Sequence, residues 1–521
     1  MMRNIHPFSF SLLSGIFLSF PWIFPWGWPL LFFAFVPLFY AESCLKSYNR
    51  NLLLGLFYSS FLTWNLLATW WIAYVSFWGM LFIAISNALL MTLVWWTSNQ
   101  IRSILGVVSG YFSLIVFWIA FEYISHRGLL PWPWLTLGNG FSNAIQIIQW
   151  YEFTGVLGGS GWILLINILL FELTKQIKHI HSLKFVVNTF VFFTIFLFPL
   201  SISAYMFFNY FETGEKRYAV VLQPNIDPYT EKFKGLSKKE QIQRLIQLTK
   251  QSISDSVDLI VAPETALPTL WEDSLITNNE VINSIKSTIK YYPKANFITG
   301  AITKRNNIPE PLKNTKYDSR NYNSALVINS LPEIQVYRKT ILVAGVERAP
   351  FKESLNILPR FIIDPGGAIG ELTPGEGPFI LQMKSGEYVG PVICFESVFG
   401  NFVRQLALKG SSYLIVITND GWWKHSSGVW QHFGYSRIRA IETRRSIVRS
   451  SNTGISGFIN QKGEILSKST MSQTCYLRSK IRMNNKVTFY AIYGDYLGEI
   501  SIILSFTVIL YGFVNRRKLN I

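Results

Sequence analysis

Between residues 8 and 208 the chain is an almost unbroken series of apolar blocks, which leaves few folds open to it. Within a bilayer every backbone N–H and C=O must be paired inside the protein, so blocks of this kind become transmembrane helices. Phe8 to Phe24 and Trp28 to Ala41 are parted by Pro21, Pro25 and Pro29. Leu52 to Ile72, Val75 to Trp96, Ile104 to Ile124, Gly155 to Phe171 and Val186 to Phe208 follow, and Ile500 to Val514 closes the series. A hydrocarbon core needs roughly 20 residues, so the pattern predicts about eight spans. The first segment also fits a signal peptide, but no small-x-small cleavage site follows and further apolar segments do, so it is read as retained.

Loop charges orient the spans. Lys46 and Arg50, Arg102, the group Lys175, Lys178 and Lys184, and the tail Arg516, Arg517 and Lys518 all fall on one side, which the positive-inside rule makes cytoplasmic. Residues 217 to 480 read as a soluble α/β domain and land on the opposite side, the periplasm of a Gram-negative cell. The expected division is 1–210 transmembrane, 211–490 exported and catalytic, and 491–521 a last span with its basic tail. The net charge of +17 fits anionic headgroups, and no nucleic-acid reading module is present. Three Cys exclude a disulfide framework; a bridge between Cys394 and Cys475 is conceivable in an exported domain.

In the soluble part, Tyr218 to Leu222 opens as a strand and Leu236 to Ser254 has helical spacing. Val257 to Ala262 is the next strand; a helix near Val281 to Tyr291 and strands at Asn296 to Ile302 and Tyr322 to Ile328 follow. Beyond Cys394 come a helix around Phe402 to Leu408, a strand at Tyr413 to Thr418, a helix from Val429 to Arg449 and a strand pair within Gly454 to Leu466. Three strand-like runs end on chemistry-bearing residues: VDLIVA before Pro263 and Glu264, EIQVY before Arg338 and Lys339, and VGPVI before Cys394. If neighbouring strands of one sheet end at one edge, a carboxylate, an ammonium and a thiol meet there. Glu264 would take the thiol proton, and Lys339 would stabilise the thiolate and the oxyanion formed when Cys394 attacks a carbonyl. Individually, a Cys at a strand end is a small hydrophobe, and a Glu or Lys there is solvated.

APETALP around Glu264, YRKTILVAGVERAPF around Lys339 and GPVICFES around Cys394 together resemble the Glu-Lys-Cys signature of the nitrilase superfamily. With the apolar half of the chain, they resemble more narrowly the bacterial apolipoprotein N-acyltransferase family. The resemblance implies a four-layer α-β-β-α sandwich beside the helical bundle, Glu347 as a second carboxylate near Lys339, and Glu396 orienting the nucleophile's loop. It further implies substrate or lid contacts at Trp134, Phe233, Asn323, Asn419 and Trp422. PWPWLTLG, with Trp132, Trp134 and Gly138, resembles a family motif in the membrane domain, although an interfacial aromatic belt reads the same way. Three places depart from the family pattern: Phe233 where Trp is common, Ala344 to Val346 for Pro-Phe-Gly, and Trp423-Lys424 for Phe-Gly.

His425 and His432 admit a Cys-His pairing, set aside because Glu264 and Lys339 already supply a base and a cation. The arginines after His432, those of RIRAIETRR and Arg449, are read by default as a solvated helix face, all but a lipid-facing few. No metal site is expected at His179 and His181, which have no third ligand nearby, and no cofactor is expected. The resemblance implies a monomer in the inner membrane that moves an acyl chain from a membrane phospholipid through a Cys394 thioester to the diacylglyceryl-cysteine of an apolipoprotein. The rivals are a membrane-tethered amidase using the same triad and a catalytically inactive transporter or lipid-binding scaffold, with Glu122 the one obvious intramembrane charge.

Overall fold

The structure, a computed structural model, describes residues 6–45, 50–128, 130–232, 235–272, 279–306, 319–348 and 372–518. The chain divides into two compact units, one made of Met1–Tyr210 with Tyr493–Ile521 and the other of Phe211–Ile492.

The first unit contains α1 (Pro7–Ile23), α2 (Val36–Cys44), α3 (Arg50–Thr69), α4 (Phe77–Leu105), α5 (Val107–Ser125), α6 (Tyr151–Gln176), α7 (Leu183–Asn209) and a C-terminal helix, Tyr496–Lys518. Among the described residues six stretches are long and apolar enough to cross a bilayer, and two shorter apolar helical stretches, Pro7–Ile23 and Trp28–Cys44, stand where the first two of the expected eight were read. The first helix has 17 residues, about 26 Å at the α-helical rise. The next apolar stretch is split into a 3-10 turn and the nine-residue α2, with Pro29 and Pro37 in their opening turns. Asn167 on α6 bridges that break, donating to Leu31 O at 2.7 Å and accepting Phe35 N–H at 2.8 Å. Backbone groups that an interrupted helix would leave bare are thus satisfied within the protein. Tryptophans fill the interior, Trp95 stacked on Phe35 and Trp64 on Trp118. On α7, Phe190, Phe193 and Phe198 are exposed, an apolar surface of the kind that lipid solvates.

Trp134 is 1% exposed, its ring 5.0 Å from that of Trp71 and 6.0 Å from that of Trp132. The residue that the resemblance gives as a lipid or substrate contact thus packs against two other indole rings. Its segment is held by Glu122, which accepts Leu137 N–H at 2.8 Å and the Trp118 indole N–H at 2.9 Å. Gly138 lies so close to α6 that a Cβ would stand 2.0 Å from Val156 O.

The second unit runs β1 (Lys216–Gln223), α8 (Lys238–Ser252), β2 (Leu259–Val261), β3 (Leu267–Trp271), α9 (Glu280–Ile289), β4 (Asn296–Asn306), β5 (Ser319–Ile328), β6 (Gln335–Arg338), β7 (Leu381–Gln382) and β8 (Tyr388–Ile393). It continues with α10 (Gly400–Leu408), β9 (Tyr413–Thr418), α11 (Ser427–Thr443), β10 (Ile447–Ser451), β11 (Gly457–Ile459), β12 (Ile465–Lys468) and β13 (Cys475–Arg482). One sheet has the order β13-β1-β2-β4-β5-β6 with β3 beside β4, the other β12-β11-β10-β9-β8-β7. The first sheet faces the second where β1 meets β10, and Ser450 Oγ donates to Leu222 O at 2.8 Å. Helices α8 and α9 cover the first sheet, and α10 and α11 the second, giving α-β-β-α layers.

Side-chain alternation explains the layering. Val220, Leu222 and Ile260 join Leu245, Leu248, Ile282 and Ile285 in the core under α8 and α9. Their neighbours Ala219, Val221 and Leu259 are equally buried on the opposite face, toward the other sheet. A strand apolar on both faces needs a layer on each side, and the central pairs β1–β2, β2–β4, β8–β9 and β9–β10 are parallel.

Candidate active site

Glu264 and Lys339 follow β2 and β6, which run in the same direction because β5 is antiparallel to both β4 and β6. Cys394 follows β8 of the other sheet. The expectation of neighbouring strands in one sheet is corrected: β4 and β5 separate β2 from β6, and the thiol comes from the facing layer. Strands of two packed sheets bring more side chains to one edge than one sheet's spacing allows.

The turn after β2 is pressed onto β4. Gly300 N–H donates to Pro263 O at 3.0 Å, and a Cβ on Gly300 would stand 2.6 Å from Glu264 Cα. Glycine there lets the carboxylate's backbone sit against the sheet. Asn323 on β5 donates from Nδ2 to Glu264 Oε1 at 2.7 Å and to Glu347 Oε1 at 2.9 Å. Lys339 Nζ lies 2.9 Å from Glu347 and 3.4 Å from Glu264, and its backbone N–H donates to Asn323 O at 2.7 Å. Val343 N–H closes the turn onto Glu347 Oε2 at 2.8 Å, so Ala344 to Val346 form the loop that presents this carboxylate. Glu264, Asn323, Lys339 and Glu347 are all buried. Burial works against the Lys339 ammonium, but Glu347 and Glu264, then Cys394, outweigh it and raise its pKa.

Cys394 is partly exposed and has φ 52°, a left-handed backbone that a residue bearing a Cβ adopts only where its surroundings fix it. Burial pushes its thiol up, Glu264 and Asp420 add to the rise, and Lys339 and Thr418 oppose it. Glu396 fastens the turn: it accepts Tyr337 Oη–H at 2.7 Å and the N–H groups of Thr340, Ile341 and Ile393 at 2.6, 3.2 and 2.8 Å. Burial raises its pKa to about 7 against those donors. It therefore ties the turn after β6 to the turn after β8, holding ammonium and thiol loops to one another.

Two further calls fall close by. Asn419 is buried and accepts from Asn452 Nδ2 at 3.1 Å, while Trp422 is partly exposed with Tyr229 against its ring, and Tyr229 Oη donates to Trp422 O at 2.9 Å. Phe233 lies outside the described residues. His425 is exposed beside Ser472, all three cysteines are free, and the described residues contain no metal-binding group of His, Cys, Asp and Glu.

Some residues around the site carried no such expectation. Lys232 donates to Thr265 Oγ1 at 2.5 Å, next to Glu264, and burial lowers its pKa to about 8. Arg439, Arg444, Arg445 and Arg449 are buried, which corrects their reading as a solvated helix face. The predicted helix to Arg449 ends at Thr443, and Arg449 belongs to β10. Arg449 Nη2 donates to Asp420 Oδ2 at 2.8 Å, and His432 Nδ1 lies 2.8 Å from Asp420 Oδ1.

Residues 219–481 match the carbon-nitrogen hydrolase family, and residues 14–169 match the apolipoprotein N-acyltransferase N-terminal domain. The chain is similar to an apolipoprotein N-acyltransferase of Chlorobaculum tepidum, 28% identical over 98% of this chain and 97% of the relative. A second, from Geobacter metallireducens, is 26% identical over 93% and 91%, and a third, from Wigglesworthia glossinidia brevipalpis, is 28% identical over 75% and 74%.

Proposed function

The chain belongs to the carbon-nitrogen hydrolase family and, within it, to the apolipoprotein N-acyltransferases, and on that premise we propose that it acylates lipoprotein N-termini by way of a Cys394 thioester. The observation that carries this reading is the buried Glu264–Lys339–Glu347 cluster acting electrostatically on a Cys394 thiol held in a left-handed turn. In the first half-reaction Glu264 takes the thiol proton as Sγ attacks an ester carbonyl of a membrane phospholipid. Lys339 faces the oxyanion, an arrangement that contributes about 10²–10³ in rate in comparable sites. The carbon–oxygen bond breaks, the proton passes from Glu264 to the departing alcohol, and a lysophospholipid leaves.

In the second half-reaction the α-amine of the lipoprotein's diacylglyceryl-cysteine attacks the thioester. Glu264 takes a proton from the amine and returns one to sulfur, so that an amide and the free thiol result. Asn323 and Glu347 keep Lys339 charged and in place, Glu396 fixes the turn, and Asn419 and Trp422 stand as substrate contacts. Phospholipid is the donor because six membrane-length helices keep the chain where that ester is abundant. The distribution of Arg102, Lys175, Lys178, Lys184 and Arg516 supports an inner-membrane orientation with the catalytic unit periplasmic. One chain supplies every proposed group, consistent with a monomer.

Intact-mass measurement of the purified protein after incubation with phospholipid tests the reading. One hydroxylamine-labile acyl adduct is expected, absent in Cys394→Ala and lost on adding a diacylated lipopeptide. An adduct that persists in Cys394→Ala removes the thioester, and free fatty acid released without acceptor favours a hydrolase.

A further inference from the structure

We infer that His432 is a positioning residue for acyl transfer: anchored by Asp420 and Arg449, its imidazole fixes the peptide carbonyl of Cys394 and thereby aims the thiol. The inference rests on Cys394 being the nucleophile and adds a role for a residue of α11 that the Glu264–Lys339–Cys394 chemistry does not use. Asp420 follows β9, Arg449 lies on β10, and Ser397 sits in the 3-10 turn that Cys394 opens. These three side chains and His432 are 0–1% exposed, so their polar atoms answer to one another and not to water.

Donor and acceptor counting fixes the orientation of the ring. A carboxylate only accepts. Asp420 Oδ1 lies 2.8 Å from His432 Nδ1 and takes Thr418 Oγ1–H at 2.6 Å, and Oδ2 takes Arg449 Nη2–H at 2.8 Å. A bare Nδ1 would set its lone pair against Asp420 Oδ1, so Nδ1 carries a proton, and Arg449 Nη2, 3.0 Å from that nitrogen, gives one of its two hydrogens to Asp420 Oδ2. Nε2 then stands 2.8 Å from Ser397 Oγ and 3.1 Å from Cys394 O, while Ser397 Oγ is itself 2.8 Å from Cys394 O. Ring, hydroxyl and carbonyl close a triangle. Ser397 has a single hydrogen, which it donates to the Cys394 carbonyl, and a ring protonated at both nitrogens adds a second donor from Nε2 to that carbonyl, so that the Cys394 peptide is gripped by two side chains. The edge of Trp423 closes one side of the ring at 5.4 Å.

The grip matters because of where it acts. Cys394 has the left-handed φ, so rotation of its peptide plane would swing Sγ away from the ester carbonyl that it must reach. Asp420 contributes a negative charge that disfavours the thiolate, and the ion pair with Arg449 offsets it while the histidine converts the carboxylate into a fixed support. Through its backbone contact, His432 acts on geometry, in contrast to the thiol–imidazole pairing that the sequence left open.

The test compares full-length wild type, His432→Ala, His432→Gln and Ser397→Ala, all in a background lacking Cys44 and Cys475. Two rates are measured on each: single-turnover thioester formation from phospholipid, which needs an aimed thiol, and iodoacetamide alkylation of Cys394, which needs only an accessible one. His432→Ala is expected to slow thioester formation about 100-fold, the cost of an ångström-scale misplacement. Alkylation is expected to stay within about threefold, a split that loss of folded protein cannot produce. Glutamine, whose amide N–H still reaches the Cys394 carbonyl, should recover at least about fivefold of the lost rate. If His432→Ala does not fold, Ser397→Ala, which removes one oxygen of the triangle, must show the same split. Thioester formation unchanged in the variants, or both rates falling together with glutamine no better than alanine, overturns the inference. Absence of a thioester in the wild type, with alkylation intact, instead removes the reading of Cys394 on which it rests.

Discussion

At the scale of single residues, the proton on Cys394 is the controlling quantity. Burial, then the charges of Glu264 and Asp420, raise its pKa, and Lys339 with Thr418 recovers only part of the rise. A thiol shifted upward is protonated at neutral pH, so attack depends on transfer to Glu264 during the reaction and not on a standing thiolate. The sign gives a pH prediction. Because deprotonation of the free protein's thiol lies above the ordinary range, iodoacetamide alkylation of Cys394 should keep climbing beyond about pH 9, where an unperturbed thiol levels off. A plateau below about pH 8 would show a preformed thiolate and leave Glu264 without its part in the first half-reaction. Glu264 and Lys339 were legible because each follows an apolar, β-rich run. The link among Asp420, His432 and Arg449 was not, since it is a mutual contact made from three elements, and no local pattern marks an arginine that points inward.

At the scale of elements, the join between α11 and β10 shows where periodicity fails. ETRRSIVRSS contains no glycine or proline to stop a helix, yet α11 ends with Arg444 in the left-handed region at φ 49°. That cap position favours glycine or asparagine, so the stop must come from tertiary contacts. Asn484 donates to Arg444 O at 2.8 Å, and Arg445 donates to Ser411 O at 2.5 Å, Thr443 O at 3.1 Å and Lys486 O at 2.7 Å. Partners about forty residues away leave no trace in a short window, whereas the strand Tyr413–Thr418, apolar on both faces, is legible to the residue. Replacing Arg445 by Met keeps the volume and removes the donors, leaving buried carbonyls unpaired. Urea unfolding of the purified protein should register a loss of about 3 kcal/mol or more, in line with hydrogen bonds to a charged group. A loss under about 0.5 kcal/mol would return Arg445 to the surface role its sequence context implies.

At the scale of the whole molecule, the second unit is closed on itself. Its entry strand β1 pairs with its exit strand β13 over eight residue pairs, from Lys216↔Arg482 to Gln223↔Cys475. The core under α8 and α9 and the network from Asp420 to Arg449 are built entirely from residues 211–492. Such a unit meets the description of a domain that folds alone. The proposed donor, by contrast, is a bilayer lipid, and among the described residues the membrane-length helices all belong to the other unit. Separating the two should therefore divide chemistry from supply. A fragment of residues 211–492 is expected to unfold in one cooperative transition and to be alkylated at Cys394 within about threefold of the full-length rate. It should accept an acyl group from a short, water-soluble activated ester but lose at least about 100-fold in thioester formation from phospholipid vesicles, because tethering no longer raises the local concentration of donor. Equal acylation of fragment and full chain from vesicles would mean that the helices contribute nothing to substrate delivery. A fragment that folds but takes no acyl group from either donor would locate part of the reacting machinery in the membrane unit itself.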